Sequence, residues 1–215
     1  MKLVVFDLDG TLVDSRRDLA DSANALLLEA GGAPLPEDAI GRMVGDGAAV
    51  LVARVFEASG RERPADALDR FLAIYDERLL NHTRPYPKIA EVLAALGQRA
   101  RLAVLTNKPI EATRRVLTGL DLARFFAEDC VVGGDGPFKR KPDPAGLQHL
   151  MTHAGVTALE TALVGDSVID WRTARNASTS VYLARYGFGF DGFPVDQLQG
   201  REWIIDSPEQ LLSVL

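Results

Sequence analysis

The chain has 215 residues, of which 47% are hydrophobic and 25% are charged, and its formal net charge is −6. This length allows one large domain, or a domain with a smaller insertion, and a substantial core. The negative charge argues against nucleic acid or an anionic membrane as a partner, so any bound phosphate must be held by local positive groups. We therefore expect a small ligand. The sequence makes no prediction of oligomeric state.

Cysteine content and N-terminal hydropathy bear on the cellular compartment. Cys130 is the only cysteine, so no internal disulfide can form. The apolar stretch at the N-terminus is too short for the hydrophobic region of a signal peptide and runs directly into Asp7. No segment approaches the ~18 consecutive apolar residues of a membrane span. We expect a cytoplasmic protein with no membrane partner.

The first predicted element is a strand at residues 3–6, a continuous apolar run typical of strands buried on both faces of a parallel sheet. Asp7 and Asp9 follow it, and Gly10 ends the run. Because side chains alternate along a strand, the two carboxylates can project the same way if extended backbone continues. Two charges ~4 Å apart at a protein surface repel by ~4 kcal/mol. A shared proton or a bound divalent cation would relieve that repulsion.

Residues 16–84 show helical periodicity and no strand pattern. Apolar residues at helical spacing predict helix over residues 16–58, with Gly31 and Gly32 as a stop. Pro64 begins another helix, and residues 81–87 read as a loop. This region is therefore predicted to be an inserted, all-helical cap.

After residue 87, predicted helices and strands alternate. The helices are expected at residues 89–96, 110–120, 145–153 and 168–177, the strands at 102–105, 130–132, 162–164 and 180–183, and a final strand and helix within 203–215. Such alternation indicates a doubly wound parallel sheet. The predicted fold is α/β and Rossmann-like, with a core domain of residues 1–15 and 85–215 and a helical cap domain of residues 16–84.

Polar residues with useful chemistry follow each of these strands, at the carboxyl ends where sites form in such sheets. They are Thr106 and Asn107 after the strand at 102–105, Lys141 in the loop after 130–132, and Asp166 and Asp170 after 162–164. Taken singly, each has a structural explanation: Thr and Asn cap helices, basic loops are usually solvated, and Ser167 with Asp170 matches a capping box.

Taken together, these residues would meet the first acid pair at one edge of one sheet. Acids alone would repel one another strongly. The charges balance if a divalent cation lies among the carboxylates of Asp7, Asp9 and Asp166. Thr106, Asn107 and Lys141 would then face a phosphoryl group.

A glycine-rich segment at residues 187–192 matches the G-x-G-x-x-G spacing of dinucleotide-binding loops. Phe193 and Pro194 follow it in place of an amphipathic helix. We interpret it as a surface loop.

Four segments, in order along the chain, resemble the motifs of the haloacid dehalogenase superfamily, most closely its phosphoglycolate phosphatase-like branch with a helical cap. They are DLDGTLVDS from Asp7 to Ser15, Thr106-Asn107, Lys141-Pro142, and GDSVID from Gly165 to Asp170. In the predicted cap, VGDG at residues 44–47 resembles the V-G-x-G segment of phosphoglycolate phosphatases.

The resemblance implies a Mg²⁺-dependent phosphatase for a small phosphomonoester such as 2-phosphoglycolate. Asp7 would be the nucleophile that becomes an aspartyl phosphate, and Asp9 would protonate the leaving alcohol and then activate water. Mg²⁺ would be held by the Asp7 carboxylate, the backbone carbonyl of Asp9 and Asp166, with Asp170 as an outer or water-mediated partner.

The resemblance also implies a phosphoryl-binding set, which consists of Gly10, Thr11, Thr106, Asn107 and Lys141. Lys139 lies in the same loop as Lys141 and is the alternative, although the Lys-Pro-x-Pro pattern fits Lys141.

Three other functions remain open at this point. A β-phosphoglucomutase-like mutase or a pyrophosphatase would share all four motifs. A phospho-acceptor receiver module also gathers acids, a hydroxyl and a lysine at strand ends. The receiver fold is compact and uninterrupted, however, whereas this chain carries a helical insertion directly after the acid pair.

Overall fold

A computed structural model describes all 215 residues. The strands are Leu3–Phe6 (β1), Val13–Asp14 (β2), Arg84–Pro85 (β3), Arg101–Leu105 (β4), Val131–Val132 (β5), Thr161–Gly165 (β6), Ser180–Ala184 (β7) and Glu202–Ile205 (β8). The α-helices are Arg16–Glu29 (α1), Glu37–Gly41 (α2), Ala48–Ser59 (α3), Ala67–Arg78 (α4), Ile89–Leu96 (α5), Ile110–Gly119 (α6), Ala145–Ala154 (α7), Val168–Ala177 (α8) and Leu211–Val214 (α9). None of them combines the length and apolar character that crossing a membrane requires.

Six strands form one parallel sheet in the order β5-β4-β1-β6-β7-β8. Val4 and Phe6 of β1 pack into one hydrophobic cluster, and Leu3 and Val5 pack into a second cluster. Because both faces of the sheet are buried, β1 reads as an unbroken apolar run. The predicted doubly wound α/β sheet is confirmed. The chain adds strands first on the β4 side of β1 and then on the β6 side, so the strand order reverses at β1.

The region between β2 and β3 contains α1 to α4 and no strand, as predicted. Helix α1 packs against α2, α3 and α4. Residues 16–58 form three helices. The stop predicted at Gly31 and Gly32 lies in the first interruption, at residues 30–36, whereas the second interruption, at residues 42–47, was not predicted. The division into a core of residues 1–15 and 85–215 and a cap of residues 16–84 stays a prediction.

A short antiparallel ribbon, β2 paired with β3, joins the two chain segments that lead into and out of these helices. The prediction of a plain loop over residues 81–87 is therefore wrong at Arg84–Pro85. Each strand of the ribbon has two residues. That length is too short to show the alternation by which a strand is recognised in a sequence.

A buried carboxylate fastens the start of the inserted helices to their end. Asp18 in α1 accepts hydrogen bonds from the backbone N–H of His82 (2.9 Å), the backbone N–H of Thr83 (2.8 Å) and the Thr83 hydroxyl (2.7 Å). Asp18 and Thr83 are almost completely buried. Charge-assisted bonds of this kind are strong, and their donors would be costly to leave unpaired.

We predict that Asp18→Ala lowers the free energy of unfolding by about 3 kcal/mol, because it leaves buried N–H and hydroxyl donors without an acceptor. Urea unfolding followed by circular dichroism measures the change. Asp21→Ala is the matched control, since Asp21 is exposed on the same helix and pairs only with exposed Arg17. The control should change stability by no more than about 0.5 kcal/mol. Equal losses in both variants would contradict this assignment.

Candidate active site

Four strand ends converge at the carboxyl edge of the sheet. Asp7 follows β1, Thr106 follows β4, Lys141 lies in the loop after β5, and Asp166 follows β6. All four are buried. The structure therefore brings together residues that are far apart in sequence, as the strand-end pattern predicted.

Three carboxylates and one lysine form the centre of this edge. Carboxylate oxygens of Asp7, Asp166 and Asp170 all lie within 4.8 Å of one another. The Nζ atom of Lys141 lies 2.8 Å from Asp7 Oδ1 and 2.6 Å from Asp170 Oδ1. Against the effect of its burial, Asp170 and Asp7 hold the pKa of Lys141 above its ordinary value.

The charges of this cluster do not balance within the protein. Burial, reinforced by Asp170 and opposed by Lys141, raises the pKa of Asp7 to about 7. Burial and repulsion by Asp170 and Asp7 also raise the pKa of Asp166 well above its usual range. The single positive charge of Lys141 is therefore too little to balance three buried carboxylates. Carboxylate oxygens are the ligands that hard divalent cations prefer, so these residues fit a metal ion.

Asp170 has both carboxylate oxygens engaged by protein groups. Oδ1 pairs with Lys141, and Oδ2 accepts from the Ser167 hydroxyl (2.6 Å) and the Ser167 backbone N–H (3.1 Å). Ser167 and Asp170 also form the capping box of α8, so that structural explanation holds as well. With its oxygens occupied, Asp170 suits the outer position that the resemblance implied.

The Asp9 carboxylate lies apart from this group, contrary to the expectation from residue spacing. It accepts from the Ser15 hydroxyl (2.6 Å) and from Lys108 Nζ (3.1 Å to Oδ1). The chain bends at Leu8, and Gly10 adopts a φ of +86°, so strand alternation does not continue past β1. Metal binding by the backbone carbonyl of Asp9 stays a prediction.

Lys108 is a buried residue of this edge that the sequence did not single out. Its Nζ atom donates to Asp9 and to the hydroxyl of Tyr75 in α4 (2.6 Å). Both side chains line a cavity of about 570 Å³, which Asp7, Asp9 and the inserted helices also border. Its position in the sequence could have identified it, because Lys108 directly follows Thr106 and Asn107 at the same strand end.

Thr106 and Asn107 make different contacts. The Thr106 hydroxyl accepts from the backbone N–H of Lys108 (3.2 Å), which leaves its own hydrogen free to donate. The Asn107 amide nitrogen donates to the carbonyls of Gly45 (2.9 Å) and Lys141 (3.0 Å). Because both amide hydrogens are used, Asn107 here holds the Lys141 loop and the inserted region against β4. A contact between Asn107 and a phosphoryl oxygen stays a prediction.

The glycine-rich segment after β7 also belongs to this edge. The backbone N–H of Gly189 donates to Asp166 Oδ2 (2.7 Å), and the Thr11 hydroxyl lies 3.5 Å from Asp166 Oδ1. Gly187 is buried, and a Cβ atom on Gly187 or Gly10 would overlap the Asp166 carboxylate. The interpretation of residues 187–192 as a surface loop is therefore wrong for Gly187. The only signal in the sequence was the position of this segment after the predicted strand at residues 180–183, since the pairing of β7 with β6 is seen only in the structure.

The two lysines of the loop after β5 differ in burial. Lys141 is 5% exposed and lies between Asp7 and Asp170, whereas Lys139 is exposed. The geometry favours Lys141 over its alternative as the cation of this edge.

Comparison with known proteins gives a consistent result. Residues 4–184 match the family model described as haloacid dehalogenase-like hydrolase. A phosphoglycolate phosphatase of Rhodospirillum rubrum is 46% identical over 87% of this chain and 80% of that protein. One of Haemophilus influenzae is 34% identical over 100% of this chain and 98% of its own length.

A solved structure agrees with these relatives. The crystal structure of a predicted phosphoglycolate phosphatase from Haemophilus somnus 129pt has a TM-score of 0.91 and 33% identity to this chain. The match covers 100% of this chain and 97% of that one. The chain therefore belongs to the haloacid dehalogenase-like hydrolase family, and it is an enzyme similar to the phosphoglycolate phosphatases of that family.

Proposed function

We propose that this enzyme is a Mg²⁺-dependent phosphatase that hydrolyses 2-phosphoglycolate through an aspartyl phosphate on Asp7. The observation that carries the proposal is the buried, charge-deficient cluster of Asp7, Asp166 and Asp170 around Lys141. The choice of substrate is supported by similarity, over most of the chain, to proteins named phosphoglycolate phosphatase. The cytoplasmic location stays a prediction.

In the first half of the reaction, an Asp7 oxygen attacks phosphorus and forms a new P–O bond as the bond to the leaving oxygen breaks. Lys141 Nζ, 2.8 Å from Asp7, and the Thr106 hydroxyl donate to the transferring oxygens. Asp9 gives its proton to the leaving oxygen and so releases a neutral alcohol. Asp7, Asp166 and the Asp9 carbonyl would hold Mg²⁺, which would supply positive charge to the phosphoryl group.

In the second half, Asp9 removes a proton from a water molecule. The water oxygen attacks phosphorus, the bond to Asp7 breaks, and inorganic phosphate leaves. Ser15 and Lys108 hold the Asp9 carboxylate beside the cavity while it performs both proton transfers. Positioning and charge neutralisation of this kind matter because uncatalysed phosphomonoester hydrolysis needs up to ~10²¹-fold acceleration.

We predict that the wild-type enzyme with Mg²⁺ releases phosphate from 2-phosphoglycolate faster than from pyrophosphate, and that it converts little β-glucose 1-phosphate to glucose 6-phosphate. Asp7→Asn removes the nucleophile and should lower turnover by at least about 10⁴-fold. A colorimetric phosphate assay and a coupled glucose 6-phosphate assay measure these rates.

Asp69→Asn is the control for this experiment, since Asp69 is exposed on α4. It should keep wild-type activity. Turnover by Asp7→Asn close to that of the control would rule out Asp7 as nucleophile. Preference for pyrophosphate or mutase activity would instead select one of the alternatives within the family.

We predict that Lys141→Ala lowers kcat by about 10²- to 10³-fold, because it removes the cation that faces both the nucleophile and the transferring oxygens. Lys139→Ala, an exposed change in the same loop, should leave kcat near the wild-type value. Thermal melting of both variants checks that they fold. A larger loss in the Lys139 variant would show that the two lysines have been assigned the wrong way round.

We predict that EDTA stops turnover and that added Mg²⁺ restores it. Without substrate, Mg²⁺ should raise the melting temperature, since an ion that binds the folded state at 100 times its Kd stabilises it by about 2.7 kcal/mol. Asp166→Asn should abolish this Mg²⁺-dependent shift because it removes a carboxylate ligand. A thermal shift of equal size in Asp166→Asn and wild type would place the ion elsewhere.

A further inference from the structure

The cavity beside Asp7 has one cationic side chain on its walls. Lys108 is the only lysine or arginine among the lining residues, which include the acids Asp76, Glu77 and Glu111. Its side chain is 4% exposed. Much of the remaining wall is apolar, with Leu51, Phe71 and Leu72 among its members. Apart from the phosphoryl group beside Asp7, a negatively charged part of a ligand therefore has one favourable place in this cavity, next to Lys108.

Lys108 lies on the side of the cavity where the leaving group must be. A general acid works within about 2.6–3.2 Å of the atom that it protonates, so the leaving oxygen lies one hydrogen bond from the Asp9 carboxylate. Lys108 Nζ lies 3.1 Å from that same carboxylate. In a phosphorylated α-hydroxy acid, the carboxylate carbon is two bonds from the leaving oxygen. Such a carboxylate falls within reach of Lys108.

Tyr75 provides a second donor at the same place. Its hydroxyl oxygen accepts from Lys108 Nζ (2.6 Å), and its own hydrogen donates to no acceptor in the structure. Burial raises the pKa of Tyr75 to about 12, so the hydroxyl keeps this hydrogen at neutral pH. Lys108 Nζ has three hydrogens and contacts Tyr75 and both Asp9 oxygens (3.1 and 3.2 Å), and one bond to Asp9 is enough to hold that pair. The remaining hydrogen and the Tyr75 hydroxyl can therefore donate side by side to two oxygens of one carboxylate.

From this geometry we propose that Lys108 and Tyr75 form a carboxylate subsite, which makes the enzyme select phosphate esters whose leaving group carries a carboxylate next to the ester carbon. The inference rests on the proposed phosphatase function. A leaving group with a methyl in place of the carboxylate keeps the apolar contacts and loses both hydrogen bonds. Substrate preference is thus determined largely by one residue after β4 and one on α4.

Two esters of the same length test the subsite: 2-phosphoglycolate and ethyl phosphate, which differ only by a carboxylate in place of a methyl group. Lys108→Met should lower kcat/KM for 2-phosphoglycolate at least about tenfold more than for ethyl phosphate, the size expected for loss of a charge-assisted hydrogen bond. Tyr75→Phe should reduce the preference in the same direction by about threefold or more. Lys139→Met is the control, because Lys139 is exposed, and it should leave the preference for 2-phosphoglycolate unchanged.

The outcomes separate this inference from the proposed function. If Lys108 acts only through Asp9 or through folding, both esters lose the same factor and the preference is unchanged, which overturns the subsite while phosphatase activity stands. If the wild type hydrolyses neither ester, the proposed function fails and the subsite fails with it. Should Lys108→Met not fold, Tyr75→Phe decides alone, and an unchanged preference in that variant overturns the subsite.

A binding measurement gives a readout that does not depend on proton transfer by Asp9. In the Asp7→Asn background, 2-phosphoglycolate should bind at least about tenfold more weakly when Lys108→Met is added, whereas the affinity for ethyl phosphate should change less. Isothermal titration calorimetry in the presence of Mg²⁺ measures both. Equal weakening of the two ligands would overturn the subsite.

Discussion

The contact of Lys141 with Asp7 and Asp170 is the interaction on which this site depends. Buried carboxylates are costly unless they are paired and hydrogen-bonded. Here one lysine, the backbone of Gly189 and the groups of Ser167 meet part of that cost for three acids. The parallel sheet makes the arrangement possible, because it delivers the ends of β1, β5, β6 and β7 to one edge. The charge that remains unbalanced determines which ligands the edge can accept.

The fold could be predicted largely because burial on both faces leaves a strong signal. β1 and β6 read as continuous apolar runs, and the alternation of helices and strands after residue 87 indicated the doubly wound sheet. The β2–β3 ribbon was missed because its stability comes from pairing between segments about 70 residues apart, not from a local pattern. The helix break at residues 42–47, where Gly45 and Gly47 adopt positive φ, was also missed.

Residues placed directly after strands were predictable, and contacts that depend on the turn beyond were not. Asp7, Thr106 and Asp166 directly follow β1, β4 and β6. Lys141 lies nine residues beyond β5 and was selected by the Lys-Pro-x-Pro pattern. Asp9 is two residues farther along, and the bend at Leu8 sends its carboxylate to Lys108 instead of to the acid cluster. Gly189 reaches Asp166 only because β7 and β6 are neighbours, which a single sequence does not reveal.

The partners of the two aspartates at the start of the chain come from different parts of the molecule. Asp7 contacts Lys141 and lies near Asp166 and Asp170, which are supplied by loops and by the first turn of α8 at the edge of the main sheet. Asp9 is bound by Ser15, at the entry to α1, and by Lys108, which in turn contacts Tyr75 of α4. Amino-acid changes in the inserted helices thus reach the proton-transferring group through Tyr75 and Lys108. The nucleophile is linked to the inserted region less directly, through Asn107 and Lys141. Sequence divergence in those helices can therefore change which leaving groups the enzyme accepts, while the attack of Asp7 on phosphorus is preserved.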